Sequence, residues 1–268
     1  MMRPYLELDF YHVALATSLV LVNGVISVLM QLKLERTLLI ASVRTVVQLL
    51  LVGYLLSYIF RLQHWAPVIG VGAVMTLIAA LTAAGRGPHR FAGMRAVAIT
   101  AVWISAWSVT GFALLVVFRD LEKWYQPQYA IPLLGMVLGN TLNGISVGLS
   151  SFTQNLSSQR DRIESLLAMG ATRWESAQSS MRDAIRTGMI PIINSMMVVG
   201  LVSLPGMMTG QLVSGMAPMQ AVKYQIVIMF LIAGATTLGT VGVVCLSFLR
   251  LFDTSHRLRR ERITTRKQ

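Results

Sequence analysis

Side chains able to do chemistry are scarce in this sequence, and those inside its apolar stretches are mostly neutral. Arg44 and Gln48 stand at i and i+4, so they share one helical face, and Asn140, Thr141 and Asn143 cluster in a later stretch. Every carboxylate lies outside these stretches, and of the histidines only His12 falls within one, near its end. A phosphate-binding loop needs Lys between Gly and Ser or Thr, yet Lys33, Lys123, Lys223 and Lys267 follow Leu, Glu, Val and Arg. No HExxH motif and no metal-spaced Cys/His set occurs, so no catalytic residue, resident cofactor or metal-ligand set is assigned. The methionine pairs Met196–Met197 and Met207–Met208 carry thioethers that suit soft ions. Neighbours on a helix point about 100° apart, so each pair reads as packing rather than as one site.

The elements that position these residues are membrane helices. The chain is 54% hydrophobic and 13% charged, with mean hydropathy +0.63, whereas soluble domains carry about 25% charged residues. About 20 apolar residues cross a bilayer. The expected spans are Phe10–Gln31, Thr37–Phe60, Ala66–Ala84, Ala96–Phe118, Ala130–Ser150, Thr187–Leu204 and Val222–Leu249, giving about seven transmembrane helices in a single transmembrane domain over residues 1–268. The first is too long, and too weakly basic at its front, for a cleaved signal peptide. The lone Cys245 provides no disulfide framework.

A net charge of +12 invites a nucleic-acid reading, which topology removes. Basic residues collect in cytoplasmic loops. With the N-terminus outside and the C-terminus inside, the inner face holds Lys33, Arg36, Arg86, Arg90, Arg95, Arg160, Arg162, Arg173, Arg182, Arg186 and the basic tail at about residues 250–268. The outer face holds Arg3, Arg61, Arg119, Lys123 and Lys223. The tail reads as an anchor to anionic lipid.

Proton- or sodium-driven carriers place ionisable groups or broken helices at the midplane. This chain lacks midplane carboxylates, so the energy for any transport would come from elsewhere. Candidate pathway residues are Arg44, Gln48, Asn140 and Asn143, with Pro205, Gly206, Met207, Met208 and Gln211 of the LPGMM segment. A buried Arg costs about 2.5–3.5 kcal/mol on insertion scales, so Arg44 snorkels, makes a structural hydrogen bond or lines a wet pathway. Gly135-x3-Gly139 and Gly144-x3-Gly148 mark a tightly packed helix. Pro205-Gly206 breaks the chain near the outer end of the sixth span, as a re-entrant gate or a helix cap. Glu7, Asp9, His12, Asp120 and Glu122 could flank an outer mouth, although loop solvation explains them better.

The connection between spans five and six, about residues 151–186, is long and charged. Ile163, Leu166 and Leu167 form one apolar stripe, and Ala177, Met181, Ala184 and Ile185 form another. Gly170 separates the two, and Thr172 with Glu175 forms a capping box for the second. An amphipathic helical hairpin follows, which docks a soluble partner or packs on its own bundle.

ESLLAMGATRW (Glu164–Trp174) resembles the EAA-type coupling motif of ABC-transporter permeases, with Ser165 and Leu166 where alanines are usual. ASVRTVVQLLLVGYLLSYIF (Ala41–Phe60), IPLLGMVLGNTLNGISVGL and GLVSLPGMMTGQLVSGMAPMQAVKYQIVIMF (Gly200–Phe230) are similar to the FetB-like permeases, a group associated with iron export that also includes plant aluminium-tolerance permeases. The resemblance covers nearly the whole chain. It implies the transmembrane subunit of an ATP-driven exporter in a bacterial inner membrane, working as a homodimer with two copies of an ABC ATPase that holds ATP and Mg. It implies ATPase coupling through Glu164, Leu167, Gly170, Ala171, Thr172 and Trp174. The cargo it implies is iron, with a small organic or nucleotide-sugar solute as the alternative. From the residues alone, an ATP-independent carrier or channel stays open.

Overall fold

The computed structural model describes residues 9–62, 64–119, 122–253, 259 and 263–265. Arg3, Glu7, Asp120 and most of the basic tail lie outside the described residues. The described chain is almost wholly helical and forms two compact units.

The first unit is a helical hairpin of α1 (Phe10–Leu29) and α2 (Glu35–Leu62). Its turn carries Gln31 and Lys33 at φ 53° and 56°, unusual values for residues with a Cβ. Ser27 holds the corner: its hydroxyl accepts from Leu34 N at 3.0 Å and donates to Glu35 Oε1 at 3.2 Å. At the start of α1, His12 Nδ1 accepts from Asp9 N at 3.2 Å, so this histidine serves the helix end. The leucines and valines of both helices are exposed almost all round, as expected of surfaces that lipid covers.

The second unit contains α3 (Trp65–Gly85), β1 (His89–Phe91), α4 (Met94–Phe112) with a π-helical turn at Ala113–Val117, α5 (Pro127–Ser158), α6 (Arg160–Ala168), α7 (Arg173–Val198), α8 (Gly206–Val213, all but its last residue), α9 (Pro218–Leu251) and β2 (Ile263–Thr265). Helix α5 is central and packs on α3, α4, α7 and α9. Its apolar stripe of Leu134, Val137, Leu138, Ile145, Leu149, Phe152 and Leu156 repeats at helical spacing and is buried along its length. The closest crossing uses glycine. A Cβ on Gly188 of α7 would stand 2.8 Å from the Gly144 carbonyl oxygen of α5 and 2.6 Å from Thr240 Cγ2 of α9. Three helices meet there because no side chain separates them. The expected tight packing at Gly144 and Gly148 is thus seen, whereas Gly139 faces open space.

One end of the bundle gathers the α3–α4 loop, the α6–α7 corner and the end of α9. His89 Nε2 lies 2.9 Å from Gln154 Oε1, and the Trp174 ring meets Phe248 edge-on at 5.6 Å. At the other end Phe118 stacks on Tyr224 with centroids 5.8 Å apart.

Six helices among the described residues are long and apolar enough to cross a membrane: α1, α2, α3, α4 with its π turn, α5 and α9. The sixth expected span, Thr187–Leu204, is not a helix of its own. Helix α7 runs unbroken from Arg173 and stops at Val198. The hairpin expected at 151–186 is likewise not separate, because its arms continue α5 and α7, with α6 a short helix at the corner. No Gly or Pro lies between Gly148 and Gly170, and burial of Phe152, Thr153 and Leu156 carries the α5 stripe onward. Nor is the tail only a surface anchor. Ile263–Thr265 pairs antiparallel with His89–Phe91, a small exception to an all-helical reading.

Candidate functional site

Three places in the second unit carry the candidate functional side chains. The first is a polar cleft of about 420 Å³ lined by Arg86, Ser146, Val147, Ser150, Ser151, Gln154 and Thr187. It forms because α5 carries serines and amides opposite its apolar stripe. Arg86 is the C-cap of α3, and its Nη1 donates to Asn143 Oδ1 at 2.7 Å. Thr187 on α7 donates to its own helix, at Asp183 O, at 2.7 Å. The lining thus holds one permanent cation with hydroxyls and amides, and no carboxylate. Such a set hydrogen-bonds anionic or hydroxylated groups and offers a bare metal ion little. Among the described residues no group of three or more His, Cys, Asp or Glu side chains could hold a metal ion.

The second place is the α6–α7 corner. Gly170 has φ +92°, a left-handed conformation that closes α6, and Ala171 N donates back to Leu166 O at 3.0 Å. Thr172 then starts α7 with the expected capping box. Glu175 N donates to Thr172 Oγ1 at 3.3 Å, while Thr172 N donates to Glu175 Oε2 at 2.7 Å. Glu164 accepts from Arg160 Nε and Nη2 at 2.8 and 3.2 Å, and this hydrogen-bonded carboxylate pushes the Arg160 pKa up. Met169 is exposed at the tip, and Trp174 is half exposed with its ring against Phe248. Leu167 and Ala171 are half-buried beside them.

The third is the LPGMM segment. The chain leaves the helix at Val199 and Gly200 (φ +83°), where Gly200 N donates to Ser203 O at 2.9 Å. The break therefore begins upstream of Pro205-Gly206. Pro205 instead precedes α8, accepting from Thr209 N at 3.0 Å, and Gly206, Met207, Met208 and Gln211 lie within that short helix. Met208 joins Met196, Met229 and Gln225 in lining a cavity there.

Of the other sequence candidates, Asn140 donates to Met136 O of its own helix at 2.9 Å, and Asn143 alone reaches the Arg86 cleft. Arg44 and Gln48 are exposed on α2 in the first unit. Sequence reading missed Arg86, which looks like an ordinary span-flanking charge. It also missed the hydroxyl run Ser146, Ser150, Ser151, whose spacing on one helix face was the available signal.

The profile of an uncharacterised protein family, UPF0014, matches residues 10–252. The UPF0014 membrane protein slr1647 of Synechocystis is 40% identical over 85% of this chain and 87% of its own length. The "Probable iron export permease protein FetB" of Escherichia coli is 32% identical over 91% of this chain and 93% of its own. The protein ALUMINUM SENSITIVE 3 of Arabidopsis thaliana is 29% identical over 91% and 88%. No solved structure matches. With nearly its full length covered, and with the helices a membrane permease requires, the chain belongs to the UPF0014 family of membrane proteins.

Proposed function

We propose that this chain is the transmembrane subunit of an ATP-driven exporter, and that it works as a homodimer with two copies of a separate ABC ATPase. The observation that carries this is the α6–α7 corner. A glycine-closed, box-capped turn presents Met169, Gly170 and Trp174 outward, at the start of α7, which runs on into the bundle core. A rigid corner bearing exposed apolar groups suits a groove on a soluble partner. The basic residues of the α3–α4 loop and of the corner lie at one end of the second unit, which supports a cytoplasmic placement for that end and an N-out, C-in chain in a bacterial inner membrane.

The cargo reading taken from FetB is metal, chiefly iron. The polar cleft favours a second reading, in which an anionic or hydroxylated organic solute, or iron carried as an anionic complex, binds beside Arg86. Neither reading needs a catalytic residue in this chain. The test is ATPase stimulation after reconstitution with a cognate ABC ATPase, using ferrous iron, ferric citrate and a nucleotide sugar. Stimulation by the free ion supports metal, and stimulation only by the anions supports the cleft. ATP-independent flux through the chain alone overturns both.

A further inference from the structure

A cavity of about 420 Å³ lies where the end of α7, the Val199–Leu204 turn, α8 and the first turns of α9 meet, lined by Met196, Leu204, Met208, Val222, Met229 and Phe230 among others. Cavities of about 300–1,000 Å³ with mostly apolar walls and a few placed polar groups are the usual form of small-molecule sites. One polar group stands in this wall. Gln225 is 7% exposed, and its Oε1 is buried with no hydrogen-bond partner. A buried carbonyl oxygen left unpaired is costly, and the cost disappears when a donor arrives.

We propose that this cavity binds a small amphipathic organic molecule, with its apolar body on the methionines and a single O–H or N–H donated to Gln225 Oε1 as the amide turns towards it. Helix periodicity supports the arrangement. Val222, Gln225, Ile226 and Met229 fall on one face of α9, so amide and apolar wall are presented together. The flexible thioethers of Met196, Met208 and Met229 come from three separate helices and adapt to varied shapes. The volume is many times that of a bare ion, which favours an organic occupant over a soft metal. A lipid acyl chain has no donor for Gln225.

The probe is an alkylphenol carrying a diazirine, photolabelling the full chain in phosphatidylcholine nanodiscs without ATP or partner, so that the result does not depend on the transport assignment. Adducts are expected on the peptides holding Met196, Met208 and Met229, with displacement by the unlabelled phenol. The O-methyl ether, which has lost the donor, should compete about tenfold less well, the loss of one hydrogen bond of about 1.4 kcal/mol. Gln225→Leu should erase that difference, and Met229→Phe should reduce labelling by filling the space. The O-methyl ether comparison uses the unaltered chain, so it stands even where a variant fails to fold. Equal competition by phenol and ether would mean a lipid groove and overturn the proposal. So would labelling spread over α1 and α2 alike, or displacement by Ag⁺ at concentrations where the phenol fails.

Discussion

The Arg86 guanidinium donates to the Asn143 side-chain oxygen at 2.7 Å and so ties the end of α3 to the middle of α5. An arginine whose head reaches along a neighbouring span, towards an amide, sets the electrostatic sign of the cleft it lines. Its stem supplies the reach and its planar head fixes the direction.

Replacing that cation therefore separates substrate recognition from assembly. Arg86→Ala should lower substrate-stimulated ATPase activity about tenfold, equivalent to about 1.4 kcal/mol, while the complex still assembles. Arg86→Lys, lacking the planar fork, should recover only part of the activity. Asn143→Leu should act in the same direction, and the double variant should cost little more than Arg86→Ala alone, because the two share one interaction. Full additivity in the reconstituted assay would show that they act separately.

Gly170 is held at φ +92° with open space around the position of a Cβ. Gly170→Val therefore meets backbone strain of about 1–2 kcal/mol rather than a clash. The expected outcome is a melting temperature in detergent lowered by only a few degrees, with ATP hydrolysis uncoupled from transport. Transport at the unaltered rate would remove the corner from the coupling path. Glu164→Lys, which ends the pairing with Arg160, should uncouple in the same assay.

The three-helix crossing predicts the opposite pattern. Gly188→Ala puts a methyl 2.8 Å from the Gly144 carbonyl oxygen and 2.6 Å from Thr240 Cγ2. Overpacking of this kind costs about 1–3 kcal/mol. Thermal unfolding in detergent should show a lower midpoint and a smaller yield of monodisperse protein. A variant as stable as the parent would mean that α7 slides freely on α5.

Gly200 and Pro205 divide the break between them, and substitution tells them apart. Gly200→Val strains the left-handed turn at φ +83° and should impair transport with assembly intact. Pro205→Ala only alters the lead-in to α8 and should leave transport within about twofold, roughly 0.4 kcal/mol. The reverse order, measured in liposomes, would return the gating role to Pro205.

The helices were legible where one signal dominated. Long apolar runs placed α1, α2, α3 and α9 to within a few residues, and the box of Thr172 with Glu175 marked the start of α7. The rest depended on relations a linear reading does not contain. Charges at Arg173, Arg182 and Arg186 made the front of α7 read as a separate hairpin helix, although its stripe of Ala177, Met181 and Ala184 belongs to the same helix as the span that follows. Pro205 drew attention because proline breaks helices, but the chain turned earlier, at a glycine with no such reputation. Arg86 resembled any span-flanking charge until its partner, 57 residues away, was in place. The pairing of Ile263–Thr265 with His89–Phe91 has no local signature in either segment.

The continuity of α7 has a mechanical meaning. Its 26 residues form a rod about 39 Å long at 1.5 Å per residue, bearing on α5 and α9 at Gly188. That bearing point leaves an arm of about 22 Å towards Arg173 and about 15 Å towards Val198. A see-saw with these arms reduces displacement and multiplies force. A tilt of about 10° shifts the longer arm's tip by about 4 Å and the shorter one's by about 2.6 Å. Pro191 lies just past the fulcrum, on the short arm, where a missing backbone hydrogen bond softens the rod. Under the proposed coupling through the α6–α7 corner, the load end is thus the compliant one and the driven end stays stiff.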